Sequence, residues 1–180
     1  MLKKILLTLL CAGLSFPFLG QSTQAQTDST VKKSKHLASL ASVNNLLDFA
    51  SNHLHFRYRS GGTTKKGFDC SGFVRYCFNN FGLTLPHGSS AQSLLGDPVS
   101  RLEALPCDLI FFKGHNSKSK RVGHVGIVTE VTDKYIKFIH SAWNGGVRYD
   151  YLDADYYRKR FVTIKRIVAN PNEKQKAHAE

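Results

Sequence analysis

The feature that most constrains this chain is a change of hydrophobic period near Pro106. Beyond it, five segments rich in β-branched and aromatic residues, DLIFF, HVGIVTEV, YIKFIHSA, GVRYDYL and FVTIKRIV, follow one another as far as Val168. Such segments fit a pleated, half-buried surface. Thr132-Asp133-Lys134 and Asn144-Gly145-Gly146 supply tight turns between consecutive strands, so an antiparallel meander is expected.

Upstream the period is helical. Val43, Leu46, Leu47, Ala50 and Leu54 follow Leu40 on one face of an amphipathic helix. A second helix is expected from Cys70, because Phe73, Val74, Cys77, Phe78 and Phe81 repeat at helical spacing, with Gly82 as its stop signal. Between them FRYRSGGTTKKGFD reads as a loop. Ser89 and Gln92 have the spacing of a capping box for a short helix. Helices first and strands afterwards predict an α+β layer structure, with the second helix packed on one face of the sheet.

The N-terminus carries Lys3 and Lys4 before an apolar run from Ile5 to Leu14, then Thr23-Gln24-Ala25. That order predicts a secretory signal over residues 1–25, cleaved after Ala25. The run is well short of the roughly 18 residues that span a bilayer. Cys11 lies inside it, so lipid attachment is not expected. Residues 26–39 read as a flexible leader, residues 40–169 as one catalytic-size domain, and residues 170–180 as a disordered tail. The formal net charge of +12 implies an anionic partner or simple solubility. For an exported chain in the periplasm, cell envelope or extracellular space, carboxylate-bearing wall peptides and anionic envelope polymers are the fitting anions, and nucleic acid is not expected.

Cys70, Cys77 and Cys107 remain after processing, an odd number that leaves at least one thiol unpaired in a monomer. Seven helical residues separate Cys70 from Cys77 by about 10 Å, beyond the roughly 7 Å reach of a disulfide. Whether Cys77 and Cys107 pair stays open. A thiol in the first turn of a helix meets the positive end of the dipole and unpaired N–H groups, which favour the thiolate, and the glycine-containing loop before Asp69-Cys70-Ser71-Gly72 leaves its Sγ accessible. Of eight histidines, His124 and His140 lie in neighbouring predicted strands, close to opposite one another across the turn at 132–134. His36, His53, His55, His87, His115 and His178 read as surface or loop residues. One imidazole can serve as base while the other orients it. Zinc is the main rival use of Cys and His, but no Cys-x-x-Cys or close His pair accompanies them, so no metal is expected.

In FRYRSGGTTKKGFDCSGFVRYCF, LPHGSSAQ, LPCDLIFF, GHVGIVTE and FIHSAWNGGVRYD, taken in order, the chain resembles the NlpC/P60 family of cell-wall cysteine peptidases from about Leu46 to Val168. The resemblance implies a papain-like α+β domain with Cys70 as nucleophile, His124 as base and His140 as the orienting residue. It also implies that Tyr58 reaches into the site and that Asp69 and Ser71 hold the free amine of a stem peptide. Aromatic packing for Tyr58 and helix capping for Asp69 and Ser71 are the plainer readings. Cys107 stands where the family usually has Gly, and His87 where a larger basic residue is common.

The expectation is therefore a monomeric peptidoglycan endopeptidase without cofactor, acting on intact or cross-linked wall. The alternatives are a non-catalytic module that binds wall peptides, and a recycling peptidase or amidase acting on free stem peptides.

Overall fold

The computed structural model describes residues 41–167 except residue 117. The expected signal, leader and tail lie outside them. The first helix, α1, runs through residues 41–51 and buries Leu46 and Ala50. A small hairpin, β1 (Thr63–Thr64) and β2 (Gly67–Phe68), leads into α2 (Cys70–Asn79). Next come α3 (Ser89–Gln92), β3 (Asp97–Val99) and a 3-10 turn at Arg101–Glu103. The strands β4 (Leu109–Lys113), β5 (Val122–Val131), β6 (Ile136–Ala142) and β7 (Gly146–Tyr151) follow, then α4 (Asp155–Arg158) and β8 (Phe161–Arg166).

The main sheet has the order β3-β8-β4-β5-β6-β7, with every pairing antiparallel. The expected meander holds from β4 to β7 and fails at the last strand, which crosses to the far side and pairs with β4 and β3. The crossing is made by α4, whose Tyr157 is buried against the sheet. Strand β3 contains Pro98, which has no N–H to donate and so suits the sheet edge that it occupies.

Both faces of the sheet are covered, and β4 shows why its sequence is continuously apolar. Leu109 and Phe111 join Phe73, Val74, Cys77 and Phe78 of α2, while Ile110 and Phe112 join Phe138, Tyr157 and Ile164 on the opposite face. A buried ion pair ties the strand order together. Arg166 Nε donates to Asp108 Oδ1 at 2.9 Å and Nη2 to Asp108 Oδ2 at 3.0 Å.

The capping box expected at Ser89 does not form. Gly88, at φ 107°, is the N-cap, Ser89 is already helical, and Gln92 instead donates to Ser71 O at 3.0 Å and Pro86 O at 2.8 Å. Cys107 adopts φ 74°, a left-handed conformation that glycine takes without cost and that a residue with a Cβ adopts at some strain. Cys70, Cys77 and Cys107 are all free thiols.

Candidate active site

The start of α2 is set by Asp69. Its backbone is extended, and its Oδ1 accepts hydrogen bonds from Gly72 N at 2.6 Å and Ser71 Oγ at 3.0 Å, which satisfies an otherwise orphaned donor of the first turn. The other oxygen, Oδ2, lies 3.1 Å from His87 Nε2. Ser71 Oγ in turn accepts from Gly88 N at 3.2 Å, so the loop before α3 is pinned to the same turn. His87 thus has a partner at the site rather than standing alone in a loop.

Cys70 is 9% exposed, so the accessible thiol expected from its position is open only through the cleft. Burial pushes its pKa up to about 11, with the Asp69 charge adding to the rise. The N–H groups of Val125, Ser71 and Cys70 itself pull the other way without prevailing. Desolvation thus acts against the thiolate that the N–H groups at the helix start favour.

His124 and His140 are not beneath α2. By strand alternation they lie on the face of Phe112, Phe138 and Tyr157, with ring centroids 6.1 Å between His124 and Phe112 and 5.6 Å between His140 and Tyr157. The N–H of Val125, which follows His124 in β5, faces the Cys70 sulfur, and Cys70, His124 and His140 line one cleft together with Tyr58, Trp143 and Tyr157. The cleft encloses about 530 Å³. Asp69 and Ser71 are not among its lining residues.

Ile127 lies opposite Ile139, which sets His124 and His140 on a diagonal rather than face to face. Gly126 makes that diagonal work, because a Cβ there would meet Phe138 Cδ2 at 2.7 Å and His140 Cβ at 3.3 Å. The imidazoles touch through His124 Nε2 and His140 Nδ1 at 2.7 Å. His140 Nε2 lies 2.8 Å from Asp150 Oδ2. A carboxylate oxygen accepts, so His140 donates from Nε2, accepts at Nδ1 from His124 Nε2–H, and leaves the His124 Nδ1 lone pair uncommitted.

Asp150 is the cleft residue that the sequence does not single out. Burial acts to raise its pKa, but hydrogen bonds from His140 and Tyr157, with the charge of Arg148, hold it below the usual carboxylate range. His140 is held below the ordinary imidazole value by burial against the opposing pull of Asp150. His124 is lowered by burial and by His140. Tyr58 is raised, by burial and then by Cys70 and Asp69, so its hydroxyl remains a donor at neutral pH. Among the described residues, no group of three or more His, Cys, Asp or Glu side chains is placed to hold a metal ion. The arrangement can move a proton from a thiol to an imidazole and hand it on to a leaving group.

An α+β domain with a thiol at a helix start, set against paired histidines on an antiparallel sheet, has the architecture of a papain-like fold. The chain matches the NlpC/P60 family over residues 55–166, and it belongs to that family. It is 37% identical over 117 residues to the murein DD-endopeptidase MepS/murein LD-carboxypeptidase of Escherichia coli K12, an alignment covering 63% of this chain and 56% of that one. It is 39% identical over 111 residues to the probable endopeptidase NlpC of the same organism, covering 61% and 68%. Among solved structures, an NlpC/P60 family protein from Bacillus cereus superposes with a TM-score of 0.63 at 29% identity, over 71% of this chain and 40% of that one. The chain thus spans little more than half the length of the MepS relative.

Proposed function

We propose that the chain is an exported cysteine peptidase that hydrolyses amide bonds in peptidoglycan peptides, with Cys70 as nucleophile, His124 as base and His140 as its orienting partner. The observation that carries this reading is the hydrogen-bonded chain from Asp150 through His140 to His124, ending in a cleft that also holds the Cys70 thiol. As Sγ attacks the carbonyl, its proton passes to His124 Nδ1, and the imidazolium is stabilised by His140 and Asp150. His124 then gives that proton to the departing amine and leaves a thioester on Cys70. Water, deprotonated by His124, releases the second product. Tyr58 O–H and the N–H groups at the start of α2 are the donors available to the oxyanion.

Export rests on the predicted signal over residues 1–25, and no described helix is long and apolar enough to cross a membrane. Action on intact wall, as a monomer, is the reading that the +12 charge favours, through attraction to anionic envelope polymers. Asp69 Oδ1 is committed to the helix cap, while Oδ2 faces only exposed His87, and that second oxygen keeps open a grip on a free stem-peptide amine.

Digestion of purified sacculi and of free tripeptide and tetrapeptide stems, followed by mass spectrometry of the products, tests the reading. Wild-type protein is expected to cut sacculi faster than free stems and to slow as salt shortens the Debye length below about 8 Å, while Cys70→Ala cuts neither. Faster turnover of free stems would replace wall action by recycling. Hydrolysis by Cys70→Ala would end the cysteine-peptidase reading.

A further inference from the structure

Beyond the histidines, the cleft carries positive charge that the reaction leaves without a task. Lys113 ends β4, and its backbone N–H donates to Arg160 O at 2.8 Å, so the two residues stand side by side where β4 meets the approach to β8. Both line the cleft with Cys70 and His124. The Arg160 guanidinium lies over the Tyr156 ring at 3.9 Å and donates from Nη1 to Tyr156 O at 3.2 Å. Its Nε is buried and has no hydrogen-bond partner among the described residues. A buried donor without a partner is costly unless something arrives to accept from its group.

Among the described residues neither Lys113 nor Arg160 takes part in an ion pair, and Asp150, the one acidic side chain lining the cleft, is held by His140, Arg148 and Tyr157. A one-sign wall in a cleft draws anions and holds them best where water is thinned.

We propose that Lys113 and Arg160 form a carboxylate-binding subsite on the leaving-group side of the scissile bond, which selects peptides whose leaving portion carries a free carboxylate. The side follows from the chemistry. His124 must protonate the departing amine, so the leaving residue lies against His124. His124 pairs with Phe112 in the sheet, the register shifts between Phe112 and Lys113, and beyond that shift Lys113 lines the same cleft as His124. The inference rests on the peptidase reading above and names a substrate feature that this reading leaves open.

The test uses two peptides that are identical except that the leaving residue ends in a carboxylate in one and a carboxamide in the other. Wild-type protein is expected to favour the carboxylate by about tenfold in kcat/KM, mainly through KM, the scale of one charge-assisted hydrogen bond. In Lys113→Gln and Arg160→Gln that ratio should fall toward one. Because the ratio is internal to each variant, a loss of folded protein cancels from it. Equal turnover of both peptides by wild type would overturn the subsite and leave the peptidase standing. A preference that survives in both variants would overturn the assignment to these residues. Cleavage of neither peptide would bring down the peptidase reading, and the subsite with it.

Discussion

One oxygen of Asp150 accepts three hydrogen bonds, from His140 Nε2–H, Arg148 Nε–H and Tyr157 O–H, each 2.8 Å long. The carboxylate fixes the His140 tautomer, and His140 fixes that of His124. Asp150→Asn should keep the shape and lose the charge, lowering kcat by about 10- to 100-fold with little change in KM. The Asp150 charge raises the His124 pKa, so its loss should also move the acid limb of the kcat/KM profile to lower pH. An unmoved limb would count against the role. The raised Cys70 pKa makes a second residue-scale prediction. With the Cys70 pKa near 11 and that of His124 depressed, iodoacetamide labelling of Cys70 should rise about tenfold per pH unit between pH 6 and 9. A flat profile across that range would mean a preformed thiolate–imidazolium pair. Cys70, His124 and His140 were legible in the sequence because a helix start and two neighbouring strands bracket them. Asp150 was not, since a lone acid in RYDYL reads as an ordinary outward-facing strand residue. Only the fold brings His140, Arg148 and Tyr157 onto it.

At the scale of elements, the diagonal between β5 and β6 depends on a side chain that is missing. Gly126→Ala would put a Cβ 3.1 Å from Ile139 O and closer still to Phe138. Overpacking of this kind costs about 1–3 kcal/mol, so the urea midpoint should fall. Activity should fall further than the lost folded fraction explains, because the His140 ring is displaced; a destabilised variant with full activity per folded molecule would refute the link. Strong period-2 strands and the α2 helix could be read from the chain, as their residues repeat over several turns or alternations. The hairpin β1–β2, edge strand β3 and helix α4 could not. Each is two to four residues long, and Pro98 in β3 and Gly67 in β2 carry turn chemistry. The crossing of β8 to pair with β4 was hidden for a different reason: strand partners are set by which edge α4 can reach, not by any local pattern. Ser89 failed as a cap because Gln92 is drawn to Ser71 O and Pro86 O, a tertiary competition that local spacing does not record.

For the whole molecule, the α2 face and the α4 face of the sheet supply different halves of the site. The α2 side brings Cys70 and its N–H cradle, while the α4 side brings His124, His140, Asp150 and Tyr157. Neither layer alone puts a thiol into one cleft with the paired imidazoles, which is why nearly the whole described chain is needed to build that cleft. The central claim is that the cleft forms a covalent bond to its substrate through Cys70. Acid quenching of the protein during turnover of a peptidoglycan stem peptide, followed by mass spectrometry of the proteolysed chain, tests it most directly. An acyl adduct is expected on the fragment that carries Cys70, growing in His124 variants that slow deacylation more than acylation and absent from Cys70→Ala. Continued hydrolysis with no adduct on Cys70, or with an adduct on another residue, would contradict it.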